Sequence, residues 1–288
     1  MRVASVYDQR RPVFSFEFFP PKTEAGMPKL YETVAALNTL GPAFCSITWG
    51  AGGTTRGKSL VLASEIRRRT GLEAMAHLSC VGETREGISA ILDEAAGLGI
   101  ENILALRGDP PGGWGSFVPV PGGFAHADEL ARFIRSRGGF GIAVAGYPEG
   151  HLENRNLDID IGHLKRKVDA GGDIVISQIF YDNRFFFDFS ERCRKAGIRV
   201  PIVPGLLPPL SADGLKRFCA LGGISIPEAL AARIERSAGD DAAVKAVGVE
   251  WVAGMAQELL ERGVPGIHFY ALNQSKSILE IFRRLGPR

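Results

Sequence analysis

Near the start of the chain, one carboxylate, Glu17, stands inside the aromatic run Phe14-Ser15-Phe16-Glu17-Phe18-Phe19, which a Pro20-Pro21 step then stops. An acid is rarely buried unless something pairs with it, and burial disfavours its charged form. A glutamate in such a place can stay protonated near neutral pH and donate its proton during a reaction. The residues leave a second reading open, a strand-end glutamate that faces solvent or pairs with a lysine. Other polar groups follow further β-rich runs: Thr48, His77, the turn Arg107-Gly108-Asp109, Tyr147 with Glu149 and His151, Gln178 with Asp182, and His268 with Tyr270. Each has a plain structural reading beside the chemical one. His77 can be a satisfied structural histidine, and Arg107 and Asp109 can pair across a tight turn. Lys165-Arg166-Lys167 can be a solvated helix face. Phe185-Phe186-Phe187, Phe189 and Phe218 read as core. His77 and His151 lack the partner pattern of a metal set.

The elements that must position these groups alternate. Strands are expected at Val13–Phe19, Phe44–Trp49, Glu73–Leu78, Asn102–Leu106, Gly141–Tyr147, Ile174–Phe180, Val200–Pro204 and Gly266–Tyr270. Helical patterns between them include Leu60–Thr70, Thr84–Leu98, Ala127–Arg137, Asp160–Ala170, Arg184–Ala196, Ala212–Leu221 and Ala242–Glu261. Gly71, Gly99, Gly138, Gly171, Gly197 and Gly263 serve as their stops. Strand–helix alternation implies parallel βαβ units. Eight in 288 residues suit an α/β fold with a single (β/α)8 TIM barrel, whose reactive groups gather at the C-terminal ends of the strands. A doubly wound sheet is the rival, but no GxGxxG or Walker pattern occurs. The Gly/Pro-rich stretch Gly112–Gly123 reads as a long loop on the active face rather than a domain boundary. One catalytic domain over residues 1–288 is expected, without a regulatory domain.

Composition narrows the class further. Hydrophobic residues make up 45%, ample for a core, and 34 basic against 32 acidic residues leave a net charge of +2. That balance gives no argument for nucleic acid or a membrane as partner. No apolar run is long enough to span a bilayer, and no signal-peptide core forms at the N-terminus. Cys45, Cys80, Cys193 and Cys219 are scattered, without metal or disulfide spacing. A reducing, cytoplasmic setting is expected.

Read in order, the segments resemble the methylenetetrahydrofolate reductases. The opening run through Lys22 carries the resemblance, followed by Ser46-Ile47-Thr48-Trp49-Gly50-Ala51, Ala76-His77-Leu78-Ser79-Cys80 and Leu104-Ala105-Leu106-Arg107-Gly108-Asp109-Pro110-Pro111. It continues through Tyr147-Pro148-Glu149-Gly150-His151, Leu164–Gly171, Gln178-Ile179-Phe180-Tyr181-Asp182, Pro204-Gly205-Leu206-Leu207-Pro208 and His268-Phe269-Tyr270-Ala271-Leu272-Asn273. The likeness runs from about Phe14 to Leu285.

The resemblance implies a barrel that holds FAD without a Rossmann fingerprint. NADH or NADPH reduces the flavin, and the flavin reduces 5,10-methylenetetrahydrofolate to 5-methyltetrahydrofolate in ping-pong order. Such a reaction belongs to one-carbon metabolism and methionine biosynthesis. Glu17 would be the general acid toward the folate N10, and Asp109 would stabilise the cation that forms. Thr48, His77, Arg107, Gly108, Asp109, Phe124, Ala125, Tyr147, His151, Asp160, His163, Arg166 and Lys167 would meet FAD. Glu17, Gln178, Phe218, Tyr270 and Gln274 would meet the folate. The phenylalanines around Glu17 would then be the source of a raised pKa, and a homo-oligomer stays an open option. Departures from the family pattern are Gln274 where Arg is frequent (with Lys276 two positions on), Trp49 for Tyr, Phe124 for an aromatic hydroxyl, and His163 for Asn. Two alternatives remain: the same fold acting mainly to oxidise 5-methyltetrahydrofolate, and a folate-binding protein without catalysis.

Overall fold

The computed structural model describes residues 1–8, 11–49, 56–109 and 117–286, with only the backbone of Arg56. Gly50 to Gly53, the Pro110-Pro111 step and residues 112–116 of the expected long loop lie outside the described residues.

Eight parallel strands close into a barrel in sequence order. They are β1 (Val13–Phe18), β2 (Phe44–Ile47), β3 (Glu73–Ser79), β4 (Asn102–Leu106), β5 (Gly141–Gly146), β6 (Ile174–Ile179), β7 (Ile202–Leu206) and β8 (Gly266–Tyr270). The surrounding helices are α1 (Met27–Asn38), α2 (Arg56–Thr70), α3 (Arg85–Gly97), α4 (Ala127–Arg137), α5 (Leu157–Asp169), α6 (Asn183–Lys195), α7 (Ala212–Gly222), α8 (Glu228–Arg236), α9 (Asp241–Glu261) and α10 (Lys276–Leu285). The expected (β/α)8 barrel is therefore observed. Four of the eight expected strands, β1, β2, β5 and β6, end one or two residues early, because the last residues of those runs already turn into a rim loop; β4 and β8 end as expected and β3 runs one residue further, to Ser79. β7 is displaced two residues downstream: Val200 and Pro201 precede it, and the Pro201 carbonyl instead accepts from Val175 N–H of β6. Helices α1, α8 and α10 add to the expected set. α1 carries Pro28 in its first turn, where a missing N–H costs nothing.

Period-2 alternation sorts each strand into two faces. Phe16, Phe18, Cys45, Ile47, Ala74, Ala76, Ile103, Ala105, Ile142, Val144, Val175, Ile267 and Phe269 face the helices and join them in the main core. The other face points into the barrel. Its lower part is filled by Val13, Phe44, Met75, Leu104, Ala143, Ile174 and Ile176, and Val3 and Val6 of an N-terminal 3-10 turn (Val3–Asp8) plug it from below. Above this apolar layer the inward residues become polar, with Ser15, Ser46, His77, Ser177 and His268 all buried.

Side-chain caps start the helices that hold rim loops in place. Thr84, Asn156, Asp182, Ser211 and Asp240 each accept from backbone N–H groups of the following first turn. Asp182, noted from sequence as a rim acid, is thus a cap that also pairs with Arg184. After β7 the chain makes three helices instead of one. Leu215, Cys219, Leu230, Ile234 and Val244 build a satellite core there, against Tyr181 and Leu207. It fixes α7 over the upper rim.

Candidate active site

Glu17 points into the barrel near its C-terminal mouth, in register with Ser46 of β2 and Tyr270 of β8. Its Oε2 lies 3.4 Å from His77 Nε2 and 3.8 Å from His268 Nε2, and Ser46 Oγ makes a long 3.5 Å contact with it. Below, Ser15 Oγ is 2.7 Å from His268 Nδ1, and Ser46 Oγ is 3.4 Å from its Nε2. A polar column thus runs from Ser15 through His268 to Glu17. The expectation that phenylalanines enclose Glu17 is corrected. Alternation sends Phe14, Phe16 and Phe18 outward, and Phe14 and Phe16 pack on Phe282 of α10. The groups against the carboxylate are polar, and its side chain remains 16% exposed.

His77 is buried, which holds its pKa below the usual imidazole value; the nearby Glu17 opposes this and His268 adds to it. Among the described residues its Nε2 has no well-oriented hydrogen-bond partner. A buried polar atom left open toward a site mouth is suited to a ligand atom.

The cationic side of the rim comes from β4, β5 and α5. Arg107 follows β4 and pairs with Glu153 rather than with Asp109, through Nη1 at 2.5 Å and Nη2 at 2.8 Å. Gly108 has φ +85°, and a Cβ there would lie 2.6 Å from Val81 Cγ2. Only glycine fits this left-handed turn without displacing Val81. Asp109, next in the chain, is exposed. Tyr147 stacks edge-on with His151 at 4.8 Å, and Lys167 Nζ lies 5.5 Å from the Tyr147 ring centre. Burial lowers the Lys167 pKa to about 8, opposed by Asp160 and Asp128, and its ammonium donates to the Ala145 carbonyl at 2.5 Å. Asp160 is buried too. Its pKa is raised by desolvation, against Lys167 and the His151 backbone N–H, which favour its charge. His151 is held low by burial and by Arg107.

The helix face Lys165-Arg166-Lys167 therefore divides. Lys165 pairs with Asp169 in solvent, Arg166 is largely exposed 3.9 Å from Asp128, and Lys167 turns inward. His163 is exposed on the same helix. Thr48 ends the β2 run, its N–H donating to Phe18 O. Ala125 N–H donates to Glu129 of α4 at 2.8 Å. The Phe124 ring is 1% exposed, packs on Phe133 and lies under the Arg85 guanidinium, so it sits in the core and leaves the Phe124 backbone as the part that faces the rim loop. Trp49 likewise belongs to the main core.

Across the mouth, Gln178 is the last residue but one of β6, its Oε1 accepting from Ile179 N–H at 2.9 Å. Phe218 is half-buried on α7 above the satellite core, and Arg217 lies 5.5 Å from its ring centre. Tyr270 donates to the Ser177 carbonyl at 2.9 Å, which spans β8 and β6 above β7. Gly205 of β7 leaves room for it, since a Cβ would stand 2.6 Å from the tyrosine ring. Gln274 is exposed just past β8, and Lys276 begins α10 with its side chain exposed. Between them and the barrel, Asn273 (φ +53°) clasps the end of β1: its Nδ2 donates to Phe19 O at 2.8 Å and its Oδ1 accepts from Phe19 N–H at 3.1 Å. That clasp explains why a short amide stands in the turn; Asn tolerates this backbone.

The structure thus gathers Glu17, His77, Gln178 and Tyr270 at the mouth, with Arg107, Tyr147, His151, Asp160 and Lys167 along one side. Sequence reasoning missed the support groups Ser15, Ser46 and Glu153. Ser15 was legible, two residues before Glu17 and so on the same strand face. The others depend on long-range packing. Among the described residues no group of three or more His, Cys, Asp or Glu is arranged to hold a metal, and no helix is long and apolar enough to cross a membrane.

A family model described as methylenetetrahydrofolate reductase matches residues 2–286. The chain is 43% identical to an Arabidopsis thaliana protein named methylenetetrahydrofolate reductase (NADH) 1, over 99% of this chain and 50% of the relative. It therefore spans about half the length of that plant relative. It is 37% identical to the Salmonella typhimurium 5,10-methylenetetrahydrofolate reductase, over 95% of this chain and 90% of the relative. In three dimensions it is similar, at a TM-score of 0.67 and 15% identity, to a Clostridium thermocellum protein described as binding two copies of 5-methyl-5,6,7,8-tetrahydrofolic acid; the match covers 98% of this chain and 96% of the other. At that identity the likeness speaks for the barrel alone.

Proposed function

Because the chain belongs to the methylenetetrahydrofolate reductase family, we propose that it reduces 5,10-methylenetetrahydrofolate to 5-methyltetrahydrofolate with a reduced nicotinamide, through bound FAD. One observation carries the reading. An acid, Glu17, stands at the barrel mouth with an open histidine nitrogen beside it and a cationic wall to one side. The balanced reaction takes one hydride from NADH or NADPH and one proton from solvent.

The residues present fit FAD. Lys167 and Arg107 supply charge for a diphosphate, with Arg166 further out, and Asp160 can accept from ribose or adenine donors. Among the described residues His77 Nε2 is an unfilled polar atom, and the Gly108 turn, closed to any side chain by Val81 and Ser79, sets Arg107 and Asp109 on either side of it. When bound, FAD would accept hydride from the nicotinamide and pass it to the folate. The chain's residues do the rest. Glu17 protonates the folate N10, so that the five-membered ring opens to a 5-iminium cation. Asp109 offers the negative charge that stabilises this cation. Tyr270 and Gln178 define the opposite wall, and Phe218 on α7 closes over the folate or the nicotinamide in turn. The test is direct. Purified protein supplied with FAD, NADH and 5,10-methylenetetrahydrofolate should form 5-methyltetrahydrofolate in step with NADH oxidation. Protein that neither binds FAD nor forms this product would refute the proposal.

A further inference from the structure

Arg107 is already occupied. Its Nη1 and Nη2 both donate to the Glu153 carboxylate, at 2.5 Å and 2.8 Å, and its Nε lies 3.3 Å from Gly108 O. Its face lies over Phe117, 5.2 Å from the ring centre. The two partners come from different rim loops, Arg107 after β4 and Glu153 between β5 and α5. Glu153 is itself tied to the wall, since its N–H donates to His151 Nδ1 at 3.2 Å. A planar fork that matches one carboxylate in two bonds is the same fork that would match a phosphate. The two anions compete for it.

We propose that Glu153 is an internal anion that fills the Arg107 fork and is exchanged for the flavin diphosphate when FAD binds. The inference rests on the reading that FAD occupies this wall. Glu153 is 47% exposed and Arg107 20%, so the carboxylate can swing into solvent without leaving a buried charge behind. Lys167 stays in place throughout, held on Ala145 O, so the exchange rearranges one side chain rather than the loop. Glu153 thereby keeps the guanidinium oriented in the flavin-free protein and weakens FAD binding as a consequence. It is a positioning residue that touches neither substrate nor flavin.

The test is titration of the full flavin-free chain with FAD and, separately, with riboflavin, which lacks phosphate, followed by flavin fluorescence. The wild type is compared with Glu153→Gln, which keeps the size and removes the charge. Exposed ion pairs of this kind are weak, so FAD should bind the variant about threefold to fivefold more tightly, with riboflavin affinity unchanged. Adding salt should weaken FAD binding to the variant more steeply, because the freed guanidinium then meets the diphosphate from the start. Unchanged or weaker FAD binding by the variant would overturn the exchange and make Glu153 a support for Arg107 in the loaded protein. Equal tightening for riboflavin would also overturn it. A wild type that binds no FAD would overturn the functional reading and this inference together. Wild-type binding with an unaltered variant overturns the inference alone.

Discussion

Lys167 gives the prediction with the most structure behind it. Its ammonium is drawn into the rim, and burial lowers its pKa from 10.5 to about 8. Below pH 8 the group is protonated whether the chain is folded or not, so the whole cost of burying the charge is present at neutral pH. Between pH 8 and 10.5 the unfolded chain holds a proton that the folded chain has released, so this group makes stability rise with pH. The gap corresponds to roughly 3 kcal/mol at its full extent. Lys167→Met removes that cost but leaves the Ala145 carbonyl without its donor, a loss of about 1–3 kcal/mol. The variant should therefore be about 1 kcal/mol more stable than wild type at pH 7, a rise in Tm of roughly 2–4 °C. The advantage should shrink toward pH 9.5. Comparing the two proteins matters, because the Cys45, Cys80 and Cys193 thiols, pushed up to about 12 by burial, lower stability as pH rises past the ordinary thiol value. The same variant should bind FAD about tenfold to a hundredfold more weakly, since a charge-assisted contact to the diphosphate is gone. Calorimetry at pH 7 and 9.5 and a flavin titration read both effects. A variant less stable than wild type by the same margin at both pH values, with FAD affinity intact, would refute the account of this wall.

Three further substitutions test other parts. Gly108→Ala forces a side chain into a left-handed turn against Val81; it should cost about 1–3 kcal/mol in thermal unfolding and weaken FAD binding, and an unchanged Tm would show that the turn relaxes freely. Asn273→Ala removes both bonds to the Phe19 backbone; a loss of about 1–2 kcal/mol and a raised KM for folate are expected, with NADH oxidation by the flavin unaffected. Gln274→Arg places a permanent cation beyond β8; it should tighten binding of polyglutamylated folate relative to the monoglutamate, as measured by competition, and no difference would place the folate tail elsewhere.

The barrel was legible because its signal is repeated. Eight short apolar runs and the glycines between them leave few other topologies, and a slip of two residues at β7 does not alter the count. Individual site residues were less legible. Polar groups at strand ends singled out Glu17, His77 and Tyr270 as inward-facing, because period 2 sets the face of each, whereas Tyr147 lies one residue past β5 and its direction depends on the loop. The environment of Glu17 was misread from the same segment. Adjacent phenylalanines in sequence are on the opposite face in a strand, and the carboxylate's true neighbours come from β2, β3 and β8, up to 253 residues apart for the Ser15–His268 contact that supports it. Phe124 and the division of Lys165-Arg166-Lys167 were hidden for a related reason. Which side of a loop or helix faces the mouth depends on packing against other elements, as does the Arg107 partner Glu153, 46 residues away.

In the proposed reaction Glu17 gives a proton to the folate and takes no part in reduction of the flavin. Stopped-flow absorbance separates the two half-reactions under anaerobic conditions in wild type and in Glu17→Gln. NADH should bleach the flavin in both proteins at rates within a fewfold of each other. 5,10-Methylenetetrahydrofolate should then restore the colour of the wild type but do so at least about a hundredfold more slowly in the variant. Restoration at the wild-type rate, or a variant whose flavin no longer bleaches, would contradict this role of Glu17.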